Sequence, residues 1–424
     1  METVAARLAP ILQRILGTDA PPVAVQTWDG SVLGDRDSRT RIVLRSPDAL
    51  RRILYSPGEL GFARAYVAGE LDVEGSIFDL LDLRDLIASP DKDVSLRLDA
   101  TGRVELLRAG RALGVLGRPL PPPPEEARLR GPLHSIGRDA HAVSHHYDVS
   151  NEFYRLILGE SMTYSCAYWP HEGMSLDDAQ EAKYGLIATK LGLEPGMRLL
   201  DVGCGWGGMA IHAARHHGVN VLGITVSSAQ ADLAAKRVAE AGVADRVEIR
   251  LQDYREVRDR PFDAISSIGM FEHVGLSQLG RYFGQLHSLL RPEGRILNHA
   301  ISRPSGRQSG FDKDSFIARY VFPDGELHEV GAVVTSMQEH GLEVRDVQSL
   351  REHYALTLRR WVTNLESGWD EAVRLIGPAR ARIWLLYMAG SAVNFEENRI
   401  SVHQVLGVKA SAEGGSGMPS SRPV

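Results

Sequence analysis

Between Met197 and Ile268 the chain alternates short apolar runs with helix-length segments: MRLLDV, a glycine-rich turn, a helical stretch near Met209 to His216, NVLGIT, a second stretch from Ser227 to Ala241, VEIRL and FDAISSI. Parallel strands need a crossover between them and have both faces covered, so this rhythm predicts a doubly wound α/β sheet. The second helix carries its own signals, since Ser227 and Gln230 fit a capping box and Gly242 follows its last periodic residue. A helix at Leu276 to Leu290 and a strand at Arg295 to Ile301 continue the winding. From Gly331 to Val408 the pattern reads as mainly helical, and the Gly-, Ser- and Pro-rich tail 409–424 reads as disordered.

Upstream, residues 1–118 mix strand-like runs such as Thr40 to Leu44 with helical segments, including GFARAYVAGELDVEG at 61 to 75, and read as a small α+β domain associated with lipid or substrate. The opening METVAARLAPILQRILG has the spacing of an amphipathic helix and lacks the apolar core of a signal peptide. The run Pro119 to Pro124 predicts an extended connector and places the domain boundary there, giving a linker 119–140 and a main domain 141–408. Between residues 97 and 138, eight Arg (97, 103, 108, 111, 118, 128, 130, 138) face four acids. That stretch is either a solvated helix and linker or a surface for anionic lipid headgroups. No segment approaches the roughly 20 apolar residues of a membrane span, so any membrane contact is peripheral. A net charge of -6 argues against a nucleic-acid partner. Two cysteines, Cys166 and Cys204, form neither a disulfide framework nor a zinc spacing; no metal site is expected, and a reducing cytoplasm is the natural setting.

The strand ending in Asp201, followed by Gly203, Gly205, Gly207 and Gly208 ahead of a helix, lets the backbone approach a ligand closely. Its form, D-V-G-C-G-W-G, departs from the G-x-G-x-x-G of dinucleotide folds and resembles motif I of S-adenosylmethionine (SAM)-dependent methyltransferases. That pattern usually has an acid at the end of the second strand for the ribose, where this chain has Thr225. Four further segments, HYDVSNEFYRLILGESMTYSCAYW (146 to 169), LQDYRE (251 to 256), GMFEHVG (269 to 275) and LNHAIS (297 to 302), closely resemble cyclopropane-fatty-acyl-phospholipid synthases. These are SAM-dependent lipid methyltransferases, a group that includes mycolic acid cyclopropane synthases and methylene-fatty-acyl synthases. The resemblance spans roughly residues 140 to 408, with a looser match in GFARAYVAGELD. It implies a Rossmann-like class I SAM-dependent methyltransferase fold with a small N-terminal α+β domain and helical insertions.

Carried over residue by residue, the resemblance implies a bicarbonate ion held by Cys166, Glu272, His299, Ile301 and Tyr354. It places Tyr164, Ser165, Leu199, Asp201, Gly203, Gly205, Gly207, Thr225, Gln230, Asp253 and Tyr254 around SAM, with Cys204 packing against the cofactor. The implied reaction adds a methylene unit from SAM across the cis double bond of an unsaturated phospholipid acyl chain, at the inner face of the membrane; a homodimer is left open. Such a site makes physical sense, because an alkene attacks the SAM methyl only when desolvated and aligned. The resulting carbocation must then lose a proton from the new methyl, and a weak, firmly held base does this without trapping the cation. Glu272 beside an anion should have a raised pKa or depend on His299 for compensation. Phe271, Tyr282, Phe283, Tyr320, Phe322, Trp361 and Trp369 are candidates for an acyl channel, most of them core.

Three other readings differ in what they require. A hydride shift before proton loss gives an exocyclic methylene, a precursor of methyl-branched chains. Methylation of a small molecule or nucleic acid requires an open polar or basic cleft and an amide-proline motif, neither of which is found. A non-catalytic lipid-binding module predicts lost catalytic positions, and here they are intact.

Overall fold

The computed structural model describes residues 2–16, 23–56, 58–81, 110–127, 150–306, 314–323 and 325–420, together with 108 and 312. Most of the Arg-rich stretch 97–138, and residues 128–149 leading into the main domain, lie outside the described residues. Contacts divide the chain into two units, one of Met1–Ala127, Lys313–Val321 and Trp369–Val393, the other of Arg128–Asp312, Phe322–Gly368 and Asn394–Val424.

In the first unit, α1 (Val4–Leu16) precedes a four-stranded sheet of order β2-β1-β3-β4, formed by β1 (Ala24–Gln26), β2 (Val32–Leu33), β3 (Arg41–Leu44) and β4 (Leu71–Glu74). Between β3 and β4 run α2 (Pro47–Tyr55), with its proline in the first turn where no N–H is missed, and α3 (Glu59–Val67). The division differs from the boundary drawn at Pro119 to Pro124. Buried Glu126 accepts a two-pronged bond from Arg64 at 2.8 and 2.9 Å and a third from the Tyr320 hydroxyl at 3.3 Å. Arg382 likewise pairs with Asp72 at 3.2 Å. The proline run and two distant helical segments thus pack with the N-terminal sheet.

The second unit runs α4 (Asn151–Leu158), α5 (Leu176–Leu191), β5 (Arg198–Val202), α6 (Gly208–His217), β6 (Asn220–Thr225), α7 (Ser228–Glu240), β7 (Val247–Leu251), β8 (Phe262–Ile268), α8 (Leu279–Leu289), β9 (Leu290–Ser302), α9 (Val330–Glu339), β10 (Leu342–Ser349), α10 (Arg351–Ser367) and β11 (Ser401–Lys409). Seven strands pair in the order β10-β11-β9-β8-β5-β6-β7, with β5 to β9 parallel and β11 antiparallel to both β9 and β10. The stretch 331–408 is mainly helical, as the pattern predicts, but it also holds the two strands β10 and β11, which the pattern does not reveal. Strand β10 is an edge strand with burial alternating residue by residue, and β11 conceals its interior position behind His403 and a fully buried Gln404. The tail also differs from its disordered reading: Gly415 N–H donates to Ser411 Oγ at 3.1 Å, Arg295 donates to the Gly417 carbonyl at 2.9 Å, and Met418 packs on the core.

Successive residues of β5 face opposite sides, so Leu199 joins the cluster under α5, α6 and α7 while Leu200 joins the one under α8 and α9. Phe271, Tyr282 and Phe283 lie inside the second cluster and are core. From β5 the winding runs outward through β6 and β7, then returns to the other side of β5 with β8 and β9. The order therefore reverses between β5 and β8, and the crevice at the carboxyl ends of those strands is where such sheets bind ligands.

Candidate active site

A cavity of about 380 Å³ opens at that reversal, walled by the ends of β5, β6, β7 and β8 and by segment 162–165. Tyr164, Ser165, Asp201, Gly203, Gly205, Thr225, Gln230, Asp253 and Tyr254 line it, and so does Cys204. Leu199 does not, being three residues below the strand end in the core, and neither does Gly207, which faces Ala234 as the first residue before α6. Gly203 has φ +75°, and a Cβ there would stand 2.8 Å from that of Met270, so both conformation and space demand glycine. At Gly205 a Cβ would meet nothing within 4 Å, because this turn faces the open cavity. No side chain caps α6, which leaves its first N–H groups for a ligand.

Asp201 is buried, accepts from Ser266 Oγ at 2.7 Å, and is raised by burial to about 6. The capping box of α7 is half made. Ser227 Oγ accepts from the Gln230 N–H at 3.3 Å, but the Gln230 carbonyl oxygen takes the Thr225 hydroxyl at 2.7 Å instead of reaching back. A neutral hydroxyl and amide thus stand where the usual pattern has an acid. Asp253 is held by both prongs of Arg255, at 2.8 and 2.7 Å.

The five residues assigned to bicarbonate lie outside the cavity wall, in two linked groups. Glu272 Oε1 accepts from the Ile301 N–H at 2.7 Å, while its Oε2 is buried and has no hydrogen-bond partner among the described residues; burial raises its pKa to about 7. Two residues back along β9, His299 accepts at Nδ1 from the Gln404 amide at 3.2 Å, which puts the ring proton on Nε2. That Nε2 is also buried and unpartnered. The His299 carbonyl accepts from Gly269 at 2.9 Å, and Gly269 is in the cavity wall. Burial lowers His299 to about 3, so the ring is neutral and the compensation expected of it is not available to Glu272. In the other group the Cys166 thiol, its pKa pushed up by burial, donates towards the carbonyls of Ala167 at 3.1 Å and Leu350 at 3.7 Å. Leu350 in turn accepts from the Tyr354 N–H at 3.0 Å. Around this group the rings of Tyr164 and Trp361 stack at 5.3 Å and Tyr354 meets Trp361 edge-on.

Sequence reading passed over Lys183. On α5 it stands four residues from both Ala179 and Ile187, in the middle of a buried stripe where a lysine is out of place; that was the available signal. It lines the cavity and donates to Ser165 Oγ at 2.9 Å. Gln180, one turn earlier, donates to the carbonyls of Thr163 and Ser165 at 3.3 and 2.9 Å. Glu181, His212 and His216 bring three ligand atoms within 4.8 Å of one another, but none lines the cavity, and His212 Nδ1 already meets Glu181 Oε1 at 2.6 Å without an ion.

Residues 134–405 match the family model for mycolic acid cyclopropane synthetase. The chain belongs to this family. It is 44% identical over 434 residues to a probable fatty acid methyltransferase of Mycobacterium tuberculosis, covering 99% of this chain and 98% of that one. It is 32% identical to the cyclopropane-fatty-acyl-phospholipid synthase of Escherichia coli K12, over 86% of this chain and 87% of the relative. A mycolic acid cyclopropane synthase solved with SAH and CTAB is similar in structure, with a TM-score of 0.59 and 35% identity over 63% of this chain and 97% of that one. The mycolic acid cyclopropane synthetase family works by SAM-dependent one-carbon transfer to fatty acyl chains of lipids, and the fold is that of a class I SAM-dependent methyltransferase. SAM is the co-substrate, and sheets wound in this way bind ligands in the crevice at the strand reversal, where the cavity opens. Among the described residues no helix is long and apolar enough to cross a membrane.

Proposed function

We propose that this enzyme converts a cis double bond in a phospholipid acyl chain into a cyclopropane, with bicarbonate held at the Glu272–His299 group as the proton acceptor. One observation carries the reading: a buried donor, His299 Nε2, and a buried acceptor, Glu272 Oε2, both without partners beside the SAM cavity. Buried polar atoms are nearly always paired, so two such atoms without partners among the described residues, on segments joined by the Ile301–Glu272 bond, mark a place for a ligand. Bicarbonate fits this donor set, since its oxygens accept from His299 and its hydroxyl donates to Glu272. When bound it supplies a weak base near the reacting carbon.

The chain's own residues do the rest. Ile301 gives its N–H to Glu272, so its part is to orient that carboxylate and not to hold the ion itself. The Cys166 thiol, held protonated by burial, does not compete with the alkene for the SAM methyl. The stacked Tyr164 and Trp361 present π faces next to the cavity, where positive charge develops on the acyl chain. The amphipathic α1 offers a means of peripheral contact with the cytoplasmic face of a membrane.

The deciding experiment incubates the protein with SAM and oleoyl phospholipid, with and without bicarbonate in CO2-stripped buffer, and reads the recovered chains by proton NMR. High-field ring protons that grow with bicarbonate are expected. Vinylidene protons replace the reading with methylene formation on the same scaffold, and unchanged oleate rejects phospholipid oleate as the substrate.

A further inference from the structure

Among the described residues Lys183 has no carboxylate partner, although its side chain is completely buried. Its polar contacts are the Ser165 hydroxyl at 2.9 Å and the face of the Tyr184 ring at 4.5 Å. The buried acid Asp201 acts on it only through space, and burying an ammonium that no carboxylate meets directly is strongly unfavourable, so such a lysine is kept where an anion comes to meet it. Its position narrows the choice. Ser165, its hydrogen-bond partner, precedes Cys166 in the chain, and the ammonium is close enough for its charge to act on Cys166, Asp201 and His299.

Charge balance in the second cluster leads to the same residue. The site proposed for bicarbonate has a neutral imidazole, a protonated thiol and a carboxylate, so it places an anion beside an acid and provides no cation of its own. Building on the bicarbonate reading above, we propose that Lys183 is the counter-ion that lets this cluster accept bicarbonate, and that through it bicarbonate and the positively charged SAM bind cooperatively. Without the anion, the protonated amine in the cavity wall opposes the sulfonium; with the anion present, the repulsion is cancelled. Burial lowers the amine to about 7, so the anion also fixes the proton on it.

The test is calorimetric binding of SAM and of S-adenosylhomocysteine, which has the same carboxylate but no sulfonium charge, to the full chain, Lys183→Met and Lys183→Arg across a bicarbonate series. In the parent, bicarbonate should tighten SAM at least fivefold and S-adenosylhomocysteine less than twofold. In Lys183→Met the half-saturating bicarbonate should rise at least tenfold, while S-adenosylhomocysteine binds within threefold of the parent, which also shows that the variant is folded. Lys183→Arg should restore most of the response. If S-adenosylhomocysteine weakens tenfold in Lys183→Met without bicarbonate, the lysine pairs with the cofactor's own carboxylate and the proposal is overturned. A parent that responds to bicarbonate alongside a Lys183→Met variant that responds at the same concentration overturns the counter-ion alone. A parent with no response overturns the bicarbonate reading, and the counter-ion with it.

Discussion

The cavity at the strand reversal is walled by glycines, hydroxyls and backbone from four strand ends, most of them within the single stretch 201–256, and three of its polar side chains have close partners: Thr225 with Gln230, Asp201 with Ser266, Asp253 with Arg255. The Glu272–His299 group is the reverse. Its side chains come from separate segments and, among the described residues, leave one buried atom each unpaired. A paired wall binds something that brings its own charges and shape, whereas an unpaired interior is finished only by a small polar ligand that meets both orphans. Binding the cofactor and moving the proton thus fall to different parts of the unit, and variants should separate them.

The largest expected effect is on turnover. Glu272→Gln keeps the bond from Ile301 if its carbonyl oxygen takes the Oε1 position, but it replaces the orphan acceptor by a donor, so kcat should fall roughly 10²- to 10⁴-fold, the range for a lost general base or its support. SAM affinity measured without bicarbonate should stay within threefold. An equal fall in SAM affinity joins the two regions into one and breaks the contrast.

Next in size is a stability effect with a fixed sign. Glu272 is raised from 4.5 to about 7 by burial, so the native state favours the protonated acid. Its contribution is fully present below pH 4.5, falls as the unfolded chain ionises above that pH, and is lost by about pH 7, where the native carboxyl ionises too. The difference in unfolding free energy between parent and Glu272→Gln should therefore shift by about 3 kcal/mol against the parent across that window. The shifts of Asp201 and His299 occur in both proteins and cancel. Urea unfolding at several pH values checks this; a difference that does not vary with pH means that the carboxyl is solvated in the native state.

These two regions were also unequally legible. The strand, acid and glycine order at 199–208 announces its conformation, because a left-handed turn at Gly203 and an approach to ligand at Gly205 leave few alternatives to glycine. Strands β5 to β8 were readable for a related reason, being apolar runs of a length that only a covered parallel strand uses. Strands β10 and β11 were not, since Arg345, Asp346, His403 and Gln404 break the apolar run. Cys166, Glu272 and His299 could be named only through the family resemblance, for their meaning lies in three-dimensional partners: Gln404 fixes the His299 tautomer from a strand that the pattern does not reveal. Lys183 had a local signal, a charge within a buried stripe, but without the fold nothing showed that the stripe reaches the cofactor wall.

The smallest predicted effect concerns the departure at Thr225. Thr225→Val keeps the β-branched shape that the end of β6 accommodates and removes only the hydroxyl, leaving the Gln230 carbonyl and the Ser227 N–H each short of one partner. One neutral hydrogen bond contributes about 1 kcal/mol, so SAM should bind roughly fivefold more weakly, with kcat at saturating SAM unchanged. That split is what a residue confined to the paired wall must give, because it acts equally on SAM in the ground state and in the transition state. If kcat falls while SAM affinity holds, the Thr225–Gln230 pair governs alignment of the methyl and not occupancy of the cavity. The wall would then share in the chemistry assigned above to the buried cluster.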